Sequence, residues 1–132
     1  MGSANTAAIK ARMTAGSVAS SSYAAGMASA YTGGGLTDWF LPSKDELNAM
    51  CNYSRNPTAP AAPSVSCYGS AGSTQNVTFA AGTYGFASDY YWSSCQNVQI
   101  STSYAWVQGF VRGGRSADGK NGPLQVRPVR SF

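Results

Sequence analysis

Residues 5–31 carry scattered apolar side chains among alanines and small polar residues. The apolar positions are Ile9, Met13, Val18, Tyr23 and Met27. This spacing predicts two short helices that are broken near Gly16, the first of them capped by Asn5 or Thr6. A run of three glycines at residues 33–35 then ends this part of the chain.

The clearest helix start in the chain follows a short apolar stretch. Residues 36–41 are predicted to form a strand. Ser43 and Glu46 stand three residues apart ahead of Leu47 and Met50. This is the pattern of a capping box, in which each of the two side chains satisfies a backbone N–H of the other residue.

The second half of the chain is rich in aromatic and β-branched residues separated by Gly, Asn, Asp and Ser. Residues 52–86 predict a loop, apart from a possible strand at residues 76–79. Strands are predicted at residues 89–94, 105–110 and 124–129, and together they indicate a small antiparallel sheet. Helices beside such a sheet are typical of an α+β fold.

Length and composition indicate one domain over residues 1–132, of which residues 1–3 resemble an expression scar. No apolar run in the sequence is long enough to span a bilayer. Charged residues make up 11% of the chain, yet its net charge is +4. Five of the nine basic residues lie within residues 105–132, namely Arg112, Arg115, Lys120, Arg127 and Arg130. Such a concentration of cations attracts polyanions.

The three cysteines fit no zinc-binding spacing, and the chain has no histidine. We therefore expect no metal and no cofactor. A disulfide between Cys51 and Cys67 would close a loop rich in Pro, Ala and Ser, and would stabilise the fold by about 3 kcal/mol. The alternative is three buried thiols that act as small hydrophobic side chains. Cys95 has no partner in the first arrangement.

Four sequence blocks resemble those of a known bacterial and phage domain family. They are Gly-Leu-Thr-Asp-Trp-Phe-Leu-Pro-Ser-Lys-Asp-Glu-Leu at residues 35–47, Tyr-Trp-Ser-Ser at 91–94, Ala-Trp-Val-Gln-Gly-Phe at 105–110 and Val-Arg-Pro-Val-Arg-Ser-Phe at 126–132. In this order they resemble the family of the C-terminal domain of the Legionella collagen-like adhesin. With the N-terminal Asn-Thr-Ala helix, the resemblance covers nearly the whole chain.

This resemblance implies a C-type-lectin-like fold at the end of a trimeric collagen-like stalk on the bacterial surface, associated with the outer membrane. It also implies binding to sulfated glycosaminoglycans or other polyanionic polysaccharides, host attachment and biofilm formation. We expect no nucleic-acid partner and no membrane insertion. Many members carry Asn, Asp, Ser or Gln in place of Arg112 and Arg115, so polyanion binding depends on the cations of this chain and not on the fold.

Arg112, Arg115 and Lys120 are the first candidates for ligand contact. They lie in a Gly-rich segment, residues 111–122, that is predicted to be an exposed loop. A flexible backbone there could bring guanidinium groups onto a sulfate or carboxylate. The alternative is a solvated loop whose charges only aid solubility.

Arg127 and Arg130 belong to the closing block of the family resemblance. Both are candidates for ligand contact. The alternative is a structural role, in which they are partly buried and paired with Asp38, Asp89 or backbone carbonyls.

Lys10, Arg12 and Arg55 add positive charge from the other half of the chain. Lys10 and Arg12 could extend a cationic patch, although two residues spaced in this way point to different sides of a helix. A solvated helix face is the alternative. Three tryptophans could stack on sugar rings, although tryptophans in strand motifs lie more often in the core. They are Trp39, Trp92 and Trp106.

The sequence gives less support to other classes of function. Catalysis by Cys95 lacks a histidine or a nearby cysteine that could activate the thiol. Calcium-dependent sugar binding needs clustered oxygen ligands, whereas the five acids are dispersed along the chain. A trimerisation cap, or a receptor-binding module without glycan specificity, stays open as the alternative. We expect a non-enzymatic adhesin domain that binds by charge and without metal.

Overall fold

The computed structural model describes residues 1–68 and 85–132. Within these residues the α-helices are α1 (Gly2–Ala15), α2 (Ala24–Ala30) and α3 (Lys44–Arg55), and short 3₁₀ turns lie at Ser20–Ser22 and Gly33–Gly35. The strands are β1 (Tyr90–Gln96), β2 (Tyr104–Gly109) and β3 (Arg115–Gly119). The predicted break near Gly16 is confirmed, because α1 ends at the preceding residue.

The strands form one antiparallel sheet in the order β1-β2-β3. Tyr90 pairs with Gly109 and Trp92 with Val107, and the register of β1 becomes irregular between Trp92 and Gln96. Helices packed beside this sheet confirm the α+β class. The finer expectation of a C-type-lectin-like fold stays a prediction.

One face of the sheet packs against α1 and α2. The buried side chains there are Ala25, Ala28, Leu41, Trp92, Ala105 and Val107. Ala105 and Val107 both reach this cluster because residues two apart on a strand share a face. Ile9 of α1 and Leu124 pack against its rim.

The opposite face of the sheet packs against α3. The buried side chains there are Leu47, Cys51, Cys67, Phe86, Tyr91 and Phe110. The rings of Phe86 and Phe110 stack with their centroids 4.0 Å apart, and Tyr91 meets Phe110 edge-on at 5.1 Å. Cys51 and Cys67 form a disulfide, which decides between the two alternatives for these cysteines.

The capping box at the start of α3 is confirmed. The Glu46 backbone N–H donates to Ser43 Oγ at 3.3 Å, and the Ser43 N–H donates to Glu46 Oε2 at 2.7 Å. Glu46 Oε2 also accepts the N–H of Gly2 at 3.2 Å, so the same carboxylate joins the beginnings of α1 and α3. The helix α3 continues to Arg55, four residues into a stretch predicted to be loop.

The predicted cap of α1 is wrong, because the helix begins at Gly2 and not after Asn5 or Thr6. Both side chains instead make tertiary contacts. Asn5 donates to Ser94 Oγ at 3.3 Å, while Thr6 Oγ1 donates to the Leu41 carbonyl and accepts the Leu41 N–H. Asn and Thr favour helix caps, but here both side chains hydrogen-bond to residues far away in the chain, which local sequence does not reveal.

Two strand predictions are also corrected. The third strand is Arg115–Gly119, inside residues 111–122, so the prediction of an exposed loop there is wrong for this part. Residues 124–129 form no strand, and make an isolated bridge from Gln125 to Tyr91 and another from Val129 to Phe40. Pro128 cannot donate to a ladder. Residues 36–41 form only the Phe40 bridge, and the possible strand at 76–79 lies outside the described residues.

Candidate functional site

Arg112 lies on the turn between β2 and β3, residues 110–114, which we call the hairpin turn. Its side chain is exposed. The Gly109 N–H donates to the Gly114 carbonyl at 2.8 Å and closes the turn. Gly113 has φ +75°, and an added Cβ would lie 2.6 Å from the Cys67 carbonyl oxygen, so this position needs glycine. The turn thus exposes the Arg112 side chain to solvent, while its backbone at Gly113 packs closely against Cys67.

Two buried side chains donate hydrogen bonds to backbone carbonyls of the hairpin turn. Gln108 Nε2 donates to the Gly113 carbonyl at 2.8 Å. Arg55 Nη2 donates to the carbonyls of Phe110 and Val111 at 3.3 and 3.2 Å. Burial lowers the pKa of Arg55, yet a guanidinium remains charged at neutral pH. These contacts fix the backbone that carries Arg112.

Arg55 also donates from Nε to Cys67 Sγ at 3.0 Å, and only 7% of the residue is exposed. From the sequence, Arg55 was interpreted only as additional positive charge. A signal was present, because Leu47, Cys51 and Arg55 are spaced four residues apart and therefore share the buried face of α3.

Arg115 begins β3 at the base of the hairpin turn, opposite Gln108 in register. Its Nη1 lies 3.5 Å from Asp45 Oδ1, with 25% of the arginine side chain and 70% of the aspartate side chain exposed. Arg115 Nε and Gln108 Oε1 are buried and have no partner among the described residues. Because the aspartate is largely exposed, solvent screens this ion pair, and such a pair contributes about 0–1 kcal/mol, so Asp45 is a weak competitor for Arg115.

Lys120 lies beyond the far end of β3, about 16 Å along the strand from Arg115 at ordinary strand spacing. Its Nζ donates to the Thr102 carbonyl at 2.7 Å and to Gln96 Oε1 at 3.1 Å. Partial burial lowers the pKa of Lys120. Both acceptors are neutral, so they hold the ammonium group without cancelling its charge.

Arg127 and Arg130 have the internal partners that the structural alternative predicted. Arg127 Nη2 donates to the Gly85 carbonyl, and its guanidinium lies 4.4 Å from the centre of the Phe86 ring. Arg130 forms a two-pronged pair with Asp38, with Nε–Oδ1 and Nη2–Oδ2 both at 2.9 Å. The hydrogen bond from Arg130 lowers the pKa of the Asp38 carboxyl.

Lys10 and Arg12 are exposed on α1. Lys10 borders a small cleft together with Asp38 and Trp39. Arg12 lies in the last turn of α1, where a cation interacts favourably with the helix dipole. The first residue of α1, Gly2, contacts Glu46 near Asp45, so Arg12 lies at the end of α1 that points away from the Arg115–Asp45 pair.

A single chain therefore does not gather the seven candidate residues at one place. Arg112 and Arg115 share one end of the β2–β3 hairpin, and Lys120 lies at the other end. Arg127 is engaged beside Phe86, and Arg130 is held by an acid. The convergence of all these cations into one trough stays a prediction.

The tryptophans differ in burial. Trp92 is 6% exposed, which confirms a core position, whereas Trp39 and Trp106 are half-buried. Lys44 Nζ lies 5.4 Å from the centre of the Trp106 ring. The ring of Tyr31 meets that of Trp39 edge-on at 5.1 Å.

Cys95 is a free, half-buried cysteine on β1, and its sulfur lies next to the start of α3. Its Sγ accepts the Lys44 backbone N–H at 3.4 Å and Asn5 Nδ2 at 3.6 Å. Within residues 1–68 and 85–132, acidic and cysteine side chains form no group of three that could hold a metal ion. In the same residues, each helix is too short or too polar to cross a bilayer.

Comparison with known proteins gives one family. The chain matches the Lcl C-terminal domain over residues 4–130. Searches of curated proteins and of solved structures give no significant match. The family places the chain as an adhesin-associated domain of a surface-exposed protein. Because the match spans nearly its whole length, the chain belongs to the Lcl C-terminal domain family.

Proposed function

We propose that this domain is the ligand-binding head of a surface adhesin and that it binds sulfated glycosaminoglycans or similar polyanionic polysaccharides. Binding is driven by charge, needs no metal, and serves host attachment and biofilm formation. Arg112 and Arg115 at the hairpin end make the principal contacts. Lys120 and the remaining cations add long-range attraction.

One observation carries this proposal, namely that the positive charge of the chain is largely uncompensated. Two of the five acids pair with arginines. The other three, Glu46, Asp89 and Asp118, accept hydrogen bonds from backbone N–H groups. Residues 69–84 contain no charged residue, so nothing in that segment can neutralise the excess. The domain presents a net +4 to an anionic chain.

The arrangement of Arg112 and Arg115 suits a repeating polyanion better than a compact anion. Arg112 is on the turn and Arg115 begins the following strand, so their guanidinium groups can contact successive sulfates of one chain. Guanidinium–sulfate contacts are charge-assisted hydrogen bonds. We infer that sulfate density matters more than sugar identity for this surface, and that salt weakens binding sharply because exposed charges are screened over about 8 Å at physiological ionic strength.

Charge reversal at the hairpin end tests the proposal. The R112E/R115E variant is expected to lose most heparin binding, by about tenfold or more, because two contacts of about 1 kcal/mol each are removed and replaced by repulsion. The measurement is the salt concentration at which the protein elutes from immobilised heparin, with circular dichroism to show that the fold is retained.

Two matched single variants separate a local site from bulk charge. R112E and R12E change the net charge equally, and both replace exposed arginines. R112E should elute at clearly lower salt, while R12E, which reduces only the long-range attraction, should shift elution much less. Equal losses in the two variants would mean that heparin senses only net charge and would overturn the hairpin site.

Removing the competitor of Arg115 should have the opposite effect. D45N frees this guanidinium and is expected to raise the salt needed for elution from heparin. D118N is the control, because it removes the same charge from an exposed position three residues along β3 from Arg115. A larger increase for D45N than for D118N supports Arg115 as a contact, and equal increases contradict it.

We further propose that the domain acts as a homotrimer on its stalk. Three copies of a weak site on one particle would bind a long polysaccharide with an avidity well above that of one copy. Under the alternative, a pure trimerisation cap, the wild-type domain would elute from heparin near physiological salt or below. The same column experiment therefore separates the two functions.

We propose a binding role and not a catalytic one. The Cys95 thiol is held by a backbone N–H and an amide group, and neither of these groups can act as a base toward a thiol. A nucleophilic cysteine needs such a base or an equivalent activation. Charge recognition accounts for the exposed arginines without any chemical step.

A further inference from the structure

A small polar cleft lies between α1 and the segment that follows the glycine run. Its volume is about 220 Å³, and its lining includes Ser3, Lys10, Ser29, Thr37, Asp38 and Trp39. This is below the roughly 300–1,000 Å³ of sites for drug-sized ligands. The cleft therefore suits a ligand no larger than one sugar ring.

The electrostatics of the cleft favour an anion. Asp38 lies in its wall, but both carboxylate oxygens accept hydrogen bonds from Arg130, which compensates the negative charge. Lys10 lies in the same wall and is exposed. With one acid balanced by one arginine, the ammonium group of Lys10 leaves the cleft with a net positive charge.

The other lining groups favour a hydroxylated ring. Thr37 is an exposed hydroxyl residue, and Asp38 keeps lone pairs that can accept hydrogen bonds from sugar hydroxyls. Trp39 supplies an aromatic surface of the kind on which the C–H face of a sugar packs. Trp39 is half-buried, so part of its ring stays open to the cleft.

From this juxtaposition, we propose that the cleft binds a single anionic sugar residue, a hexuronate. Lys10 contacts the carboxylate, Thr37 and Asp38 contact ring hydroxyls, and Trp39 packs against the ring. This site is separate from the hairpin end and does not rest on the function proposed above. It would select for sugar type, whereas the arginines respond to charge density.

The probes are sodium glucuronate and glucose, which differ by one carboxylate. Glucuronate is expected to bind with millimolar affinity and to shift the amide NMR signals of Lys10 and Thr37 and the indole signal of Trp39. K10Q should weaken glucuronate binding about fivefold, the effect of one exposed charge contact. R12Q, on the same helix but outside the cleft lining, should bind as the wild type does.

Three results would overturn the site. Glucuronate could leave the cleft signals unmoved, it could bind K10Q as tightly as the wild type, or acetate could bind as tightly as glucuronate, which would reduce the cleft to a simple anion site. K10R should retain binding, which shows that the loss in K10Q is a loss of charge and not of folding. R112E/R115E should bind glucuronate normally, so failure at the hairpin end and failure at the cleft are distinguishable.

Discussion

Replacing Arg55 by alanine is expected to destabilise the domain by about 2–4 kcal/mol, because it leaves the buried carbonyl of Phe110 and the partly buried carbonyl of Val111 without their charged donor and opens a cavity beside Cys67. Urea denaturation followed by circular dichroism measures the change. R12A is the control, since this arginine is exposed and such substitutions usually stay within about 0.5 kcal/mol.

Lysine at position 55 refines the test. R55K keeps the charge but loses the planar fork that reaches two carbonyls and a sulfur at once. We expect it to recover only part of the stability lost in R55A. Full recovery would mean that charge alone is needed at this position, and an unaffected R55A would contradict the supporting role of the side chain.

The same residue links the core to the proposed binding surface. Arg55 and Gln108 fix the backbone of the hairpin turn, and Arg112 is carried on that backbone. Loosening the turn would increase the conformational freedom that a bound Arg112 must lose. The R55 variants should therefore bind heparin more weakly even where they remain folded, although Arg55 itself is buried.

Local sequence was sufficient for the start of α3 and for β1 and β2. Ser43 and Glu46 define a helix start through contacts within four residues. Aromatic residues at 91, 92 and 106 mark strands whose faces are buried. In these cases the interactions that decide the structure lie close together in sequence, or depend on a pattern that any sheet shares.

Other elements depended on partners far away in the chain. Arg-Ser-Ala-Asp-Gly is a poor strand sequence, and β3 forms because β2 offers it a complete register. Its polar side chains suit an edge strand, where charged residues discourage association with other sheets. Residues 124–129 have better strand propensity but make only single bridges.

The same limit applies to the candidate site. The cluster of cations near the end of the chain is visible in the sequence, but the partner of each cation is not. Arg130 contacts Asp38 across 92 residues, and the contact of Arg115 with Asp45 is also non-local. The structure thus separates Arg112, which is exposed, from Arg127 and Arg130, which have internal partners.

The cations of residues 105–132 therefore have different roles in this domain. Arg127 and Arg130 anchor the last residues of the chain to Gly85 and Asp38, so under the proposed function we expect them to attract a polyanion at a distance and not to contact it. Arg112 can contact a ligand at little cost because no internal bond to a described residue has to be broken first. The hairpin end is therefore the place where a substitution should affect binding most and folding least.

Loss of the Cys51–Cys67 disulfide is expected to cost about 3 kcal/mol, because the bond closes a loop with a sequence separation of 16 residues in the unfolded chain. The C51A/C67A variant should show this loss in urea denaturation. The wild-type protein should show a similar loss when a reducing agent is added, while C51A/C67A should not respond to the reductant.

C95A is the matched control for the disulfide experiment, because Cys95 is free. It should keep the full response to reductant that the wild-type protein has. The Cys67 carbonyl packs against Gly113 of the hairpin turn. The disulfide therefore also helps to fix the backbone that carries Arg112. C51A/C67A should consequently bind heparin more weakly than C95A at the same fraction folded. Equal heparin binding by these two variants would show that the turn keeps its geometry without the disulfide, and that Arg55 and Gln108 are sufficient to hold it.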